Sequence, residues 1–434
     1  MPKPLIPHGD VTTAYIGLLC QGKSDFDHIE AYREGRFFQD AFHLKAVQSS
    51  PTLRQRLDRI ASEPVLRDVL RQESIRLLQR AKPKLKPVTE AGHIPRDIDV
   101  SPFDNSHTKK EGIGWTYKKF DGYAPIFAYL GKEGYGLAAE LRSGSVNGQK
   151  DAPAFLNKVI KYAQSVVGQR PLLVRTDSGH DSADNIDVFL RTGAAFLIKR
   201  NLRRVAPESF LETAQLEQDP VVEERPGKRA WRGTVQKYFV LSGDEAKPTW
   251  IPVEENVLGA RVVYQSYVVT ERTTEANGQI LLTPSVEADV WWHSLEFPVP
   301  ELERLYHDHG ASAQFHGELK TDMDLERLPS GKFETNALVL ELGLFAYNIL
   351  RIMGQGTIGN ETVPLRKQAE RCSPCTASRP PEDHLKTRIR NQQVVKKRRS
   401  ILRCPFFAQN PGAEASEACF SSARGRKQPC SGSA

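Results

Sequence analysis

The stretch HIPRDIDVS, residues 93–101, decides how this chain is read. It follows AKPKLKPVTEAG (81–92), a Pro- and Lys-rich linker, and marks the point where helical periodicity gives way to extended runs. By strand alternation Asp97 and Asp99 share one side of that run. YKKFDGYAPIFAYLG (117–131) and YGLAAELRSGS (135–145) follow as two further extended segments separated by turn residues, which predicts an antiparallel meander. APAFLNKVIKYAQSVV (152–167) then reads as a helix, RPLLVRTDSG (170–179) as a mostly buried strand, DSADNIDVFLRTG (181–193) as a helix and AAFLIKRN (194–201) as a strand.

Three strands, helix, strand, helix, strand is the order expected of a ribonuclease H-like α/β core. Around it the texture changes twice. Residues 1–90 read as an all-α region, and Ser50 and Pro51 are placed as the cap and start of a helix. Its first turns carry Arg54, Arg56 and Arg59 where a helix N-terminus itself attracts phosphate. Residues 202–296 contain short runs rich in β-branched and aromatic residues, a β-rich insertion. PVPELERLYHDHG (298–310) and FETNALVLELGLFAYNILRIM (333–353) return to helix, so the core is expected over 91–201 and 297–355. Residues 356–434 lack periodicity and are expected to be a basic, disordered tail.

The net charge of +7 belongs to that tail. From Pro364 onward lie 15 of the 60 Lys and Arg and 5 of the 53 Asp and Glu, so the tail carries +10 and the chain before it −3. A polyanion would therefore be met by local patches of the main body rather than by its overall charge. Five of the six cysteines are also in the tail. Cys372 and Cys375 have zinc-like spacing without a second pair, and with no secretory leader a disulfide framework is not expected. No uninterrupted apolar run approaches a membrane span, so the expectation is a cytoplasmic protein with no membrane partner.

Two acids stand out because each lies in or at the end of a predicted buried strand: Asp99 in the first, Asp177 at the end of the fourth. In the expected sheet these strands are neighbours, so the carboxylates converge. Two such carboxylates repel unless a cation lies between them, and oxygen donors suit Mg²⁺ or Mn²⁺, with room for two ions. Asp97 and Asp104 are the nearby rivals, and a structural cap or turn is the ordinary use of a strand-end aspartate.

DIDVSPFDNSHTKKEG (97–112), FDGYAPIFAYLG (120–131), LRSGSVNG (141–148), LVRTDSGHDS (173–182) and HGELKTDMDLERLPSGKFETN (316–336) together resemble the DDE transposases of bacterial insertion sequences, in the branch with a β-rich insertion before the last acid. The resemblance implies that Asp99 and Asp177 are the first two acids of a metal-binding triad. It also implies cleavage of double-stranded DNA at transposon ends, strand transfer to a target, recognition of inverted repeats by the N-terminal helices, a homodimer on paired ends, and a place at the bacterial nucleoid.

The family's last catalytic helix shows Tyr, two residues, Arg, three residues, Glu, six residues and Lys. Here, within YHDHGASAQFHGELK (306–320), Tyr306 and Lys320 fit, His309 stands for the arginine, and Ala313 stands where the glutamate belongs. Glu318 is the candidate substitute. On a continuous helix Ala313 and Lys320 fall about 20° apart while Glu318 lies about 140° away, so it serves only if Gly310 or Gly317 shifts the register. Tyr306, His309 and Lys320 are expected on the DNA backbone, and Trp291 and Trp292 on a flipped base, where stacking supplies about 1–3 kcal/mol. A zinc site from His307, His309 and His316 is disfavoured because His307 points away. Three readings follow: an active transposase, a remnant that binds DNA without cutting it, and a host repair or recombination nuclease of the same fold.

Overall fold

The computed structural model describes residues 6–358, apart from 147, 244–245 and 253–257, together with Leu365. Residues 356–358 of the expected tail belong to a helix, and the rest of it apart from Leu365, including Cys372 and Cys375, lies outside the described residues. In chain order the elements are α1 (His8–Leu19), α2 (Arg36–Ala41), α3 (Ser50–Ala61), α4 (Pro64–Ala81), β1 (Ile94–Val100), β2 (Phe103–Asp104), β3 (Gly114–Trp115), β4 (Asp121–Tyr123), β5 (Ile126–Leu130) and β6 (Tyr135–Glu140). Then come α5 (Ala152–Val167), β7 (Leu172–Thr176), α6 (Ala183–Thr192), β8 (Ala195–Lys199), α7 (Glu208–Leu216), β9 (Val221–Arg225), β10 (Lys228–Val240), β11 (Thr249–Ile251), β12 (Arg261–Thr274) and β13 (Ile280–His293). α8 (Val299–His307), α9 (Ser312–Gly317) and α10 (Phe333–Ile358) complete the series.

One mixed sheet runs β11-β10-β12-β13-β8-β7-β1-β5-β6, with β9 on β10. β1 pairs antiparallel with β5 and β5 with β6, which is the expected meander; β1 pairs parallel with β7 and β7 with β8. The insertion joins where β13 lies antiparallel to β8, Trp291 opposite Lys199 and His293 opposite Leu197. Its long strands therefore extend the central sheet.

Alternation sorts the side chains to two faces. Ile126, Ala128 and Leu130 of β5 join Ile94 and Ile98 of β1 against Phe155, Leu156, Val159 and Ile160 of α5 and Phe189 of α6. α5 presents these residues at helical spacing, and Pro153 in its first turn and Gly168 at its end, with φ 68°, set its limits. Phe127 and Tyr129 of β5 point the other way, into a core shared by α1, α3 and α10. The N-terminal helices thus pack directly on α10. α10 is long and apolar enough to cross a membrane, but 78% of its apolar window is buried inside the protein.

Two local expectations need correction. Ser49, not Ser50, is the N-cap of α3; the Ser50 amide instead donates to Glu30 at 2.7 Å and its hydroxyl meets Asp27, which draws Ser50 into the first turn. Residues 308–322 are not one continuous α-helix either. A 3-10 turn (Asp308–Ala311) precedes α9, and a π turn (Glu318–Asp322) follows it, closed by the Met323 amide on the Glu318 carbonyl at 3.0 Å.

Candidate active site

β1 and β7 run parallel in the register Ile98 opposite Thr176, so the next pair, Asp99 and Asp177, stands side by side at the carboxyl ends of adjacent strands. Open α/β sheets bind ligands at that edge. Asp99 follows Asp97 in alternation and Asp177 follows Arg175, which places both acids on the face covered by α8 and α9.

Asp99 is 25% exposed and its Oδ2 accepts from His316 Nε2 at 3.2 Å and from the Ser312 hydroxyl at 3.5 Å. Burial pushes its carboxyl up, but the hydrogen bond and charge of His316, the charge of His309 and the Val100 amide outweigh burial and hold it down at about 2. Asp177 is 46% exposed; its Oδ1 accepts from His180 Nδ1 at 2.9 Å and from the Gly179 amide at 3.1 Å. Among the described residues neither acid is ion-paired to a Lys or Arg, and each meets an imidazole instead. Two tyrosines sense both acids. The Tyr117 hydroxyl is pushed up to about 12 by burial and by the carboxylates of Asp99 and Asp177, and burial with the same two charges pushes Tyr306 up.

The rival acids are otherwise employed. Asp97 is fully buried and takes a two-pronged contact from Arg175, Nε at 2.7 Å and Nη2 at 2.8 Å, plus His309 Nδ1 at 3.0 Å. Arg175 Nη1 continues to the Leu305 carbonyl at 2.7 Å, which ties the end of α8 to the sheet. Asp104 accepts from the Ser106 amide at 2.9 Å, a turn device.

Glu318 is bonded to α10 and not to the acid pair. It is 3% exposed; one oxygen accepts from Gln314 Nε2 at 3.0 Å and the Leu365 amide at 3.2 Å, and the other from Tyr347 at 3.0 Å and Arg351 of α10. The register shift that would recruit it is present as the π turn, yet the guanidinium of Arg351 claims it. Ala313 sits on α9 between Ser312 and His316, the two residues that reach Asp99, and is exposed. Among the described residues no group of three or more His, Cys, Asp or Glu is arranged to hold a metal.

The expected DNA contacts divide. Tyr306 flanks the acids and lies 6.0 Å from the Trp291 ring. Lys320 donates to the Pro102 carbonyl at 2.5 Å, just beyond β1, and burial lowers its ammonium. His309 is buried on Asp97 and does not offer itself to a phosphate. Trp291 and Trp292 are buried on opposite faces of β13: Trp291 lies under Lys199, and Trp292 stacks on Trp250 at 4.3 Å with Arg200 on its ring. Neither indole presents an open face to a base, because both are spent at the junction of the insertion with β8. Arg54 is exposed beside Phe26, whereas Arg56 is partly buried and donates to the Ile6 carbonyl at 3.1 Å.

Sequence reasoning missed His180 and Tyr117. His180 carried a signal, three residues after Asp177 in DSGH, the reach of a turn. Tyr117 carried none, because only the fold brings its strand pair to the end of β1.

Comparison with curated proteins finds none that matches. Among solved structures, a cryo-EM structure of a piggyBac transposase synaptic complex with hairpin DNA matches at 10% identity, covering 93% of this chain and 74% of that one, with a TM-score of 0.38. The model of the family described as transposase DDE domain group 1 matches residues 9–363, and the chain belongs to that family.

Proposed function

We propose that this chain is a DNA transposase with a ribonuclease H-like catalytic core in which Asp99 and Asp177 are the first two acids and the third position is occupied by Ala313, leaving a protein that binds transposon ends but cuts them poorly. The observation that carries the reading is the contrast around β1: two neighbouring strand-end carboxylates with no Lys or Arg partner among the described residues, and a Glu318 whose two oxygens are already filled. The core strands, in the order β6-β5-β1-β7-β8 with the first three antiparallel and the last two parallel to β1, support the ribonuclease H-like assignment.

Asp99 and Asp177 would hold Mg²⁺ or Mn²⁺ through oxygen, which supplies Lewis acidity toward a phosphodiester when bound. Two carboxylates fit that ion class; a full set needs the third ligand that position 313 lacks. The chain's own part is positional. His316 and Ser312 fix Asp99, His180 and the Gly179 amide fix Asp177, and Arg175 locks α8 over both. Arg54 on α3, Tyr306 and Lys320 would orient double-stranded DNA, the inverted repeats among it, with two copies of the chain on paired ends at the bacterial nucleoid.

The test is cleavage of end-bearing DNA with Mn²⁺ by the full chain and by Ala313→Glu. The reading expects binding by both and efficient cleavage only by the variant. Equal cleavage by the natural chain would refute the impairment.

A further inference from the structure

Beside the acid pair, the short hairpin of β3 and β4 holds two large aromatic side chains in solvent: Trp115 is 61% exposed and Tyr117 66%. The hairpin tip is fixed. Thr116 is buried, its amide and hydroxyl both donate to the Phe120 carbonyl at 2.9 Å, and the Lys119 amide donates to Thr116 at 3.0 Å with φ at 65°. From below, Gly144 fits so closely that a Cβ there would lie 2.2 Å from the Gly114 carbonyl and 2.6 Å from that of Gly122. Rigid, exposed rings lose little freedom when something stacks on them.

Tyr117 ties this tip to the acids. The Tyr117 hydroxyl donates to the carbonyl of Val100, the residue after Asp99, at 3.3 Å. Lys118 and Lys119 are exposed at the same tip. Flat rings interleaved with cations suit unpaired nucleotides, whose bases stack and whose phosphates are anionic. An apolar protein partner would not call for the lysines.

We propose that Trp115 and Tyr117 form a stacking platform for unpaired nucleotides of the DNA strand that enters the acid pair, with Lys118 and Lys119 on its phosphates. This rests on the transposase reading above. The site is distinct from the buried Trp291 and Trp292.

The test uses the full chain without metal and measures the affinity, by fluorescence anisotropy, for a labelled duplex with a short single-stranded tail and for the same duplex with blunt ends. Trp115→Ala and Tyr117→Ala should each weaken tailed-DNA binding about tenfold and leave blunt-duplex binding unchanged. Tyr117→Phe, which keeps the ring and loses only the hydroxyl, should bind tailed DNA as the natural chain does. Lys118→Ala with Lys119→Ala should weaken tailed-DNA binding, reduce its salt slope by about 1.4 and leave blunt-duplex binding unchanged. Unchanged tailed-DNA affinity in both aromatic variants, or an equal loss on blunt DNA, overturns the platform while leaving the transposase reading intact. Absence of binding to either duplex by the natural chain overturns both.

Discussion

The end of β1 and the turn after α9 each carry a carboxylate, and they treat it in opposite ways. At the end of β1, Asp99 and its neighbour Asp177 reach solvent and, among the described residues, are held by imidazoles, a hydroxyl and backbone amides. In the π turn, Glu318 is sealed in the core with Arg351 and Tyr347. The first arrangement keeps negative charge available for an external cation; the second neutralises it inside the protein. An acid's burial and partner, more than its place in a motif, decide whether it is free to ligate.

The contrast makes a large prediction at Glu318. Arg351→Met leaves a buried carboxylate without its cation and should cost about 3–5 kcal/mol in denaturant unfolding, whereas Glu318→Met with Arg351→Met should recover most of that loss. An Arg351→Met chain as stable as the natural one would mean that the pair is not structural.

Buried titratable groups should also write themselves into the pH dependence of stability, and His293 in β13 is the clearest case. Burial holds its imidazole down at about 4, against an unfolded value near 6.5, with Nε2 at 2.8 Å from the Ser266 hydroxyl and Nδ1 at 2.9 Å from the Leu295 carbonyl. The folded state keeps it neutral while the unfolded chain takes up the proton. Its contribution is thus present above about pH 6.5 and lost as pH falls toward 4, a decline of about 3 kcal/mol. His293→Gln should flatten that part of the stability profile, measured by urea unfolding from pH 7 to 4.

Arg96 sharpens the comparison from the other sign of charge. It lies in β1 between Ile94 and Ile98, fully buried, with none of its three nitrogens hydrogen-bonded, and burial lowers its guanidinium to about 9. Arg96→Met should therefore raise stability by about 2 kcal/mol, read as a higher urea midpoint at constant slope. At the smallest end, Asp177→Asn should change stability by less than about 1 kcal/mol, because its carboxylate is half in solvent and its partner is an imidazole.

The sequence carried the core elements well because their periodicities are strong and their limits are marked: α5 is bounded by Pro153 and Gly168, and DIDV and LLVRTD place their acids at strand ends. It could not carry the partners. His309 and Arg175 look like surface cations in a string of letters, yet they meet at Asp97 although 133 residues lie between them. Trp291 and Trp292 sit in a β segment, where only the pairing of β13 with β8 and the approach of α8 decide that both are core. Glu318 illustrates the same limit, since a helix wheel gives its angle but not the guanidinium of Arg351 waiting on α10.

The most direct test of the account is the affinity for Mn²⁺, followed by the loss of the free-ion electron paramagnetic resonance signal, in the natural chain, in Ala313→Glu, and in Ala313→Glu combined with Asp99→Asn. A site built on Asp99 and Asp177 that lacks its third acid predicts weak binding by the natural chain, binding at least about tenfold tighter after Ala313→Glu, the difference one added ligand makes at about 1.4 kcal/mol, and loss of that gain when Asp99 is neutralised. Binding as tight in the natural chain as in Ala313→Glu, or a gain that survives Asp99→Asn, would contradict it.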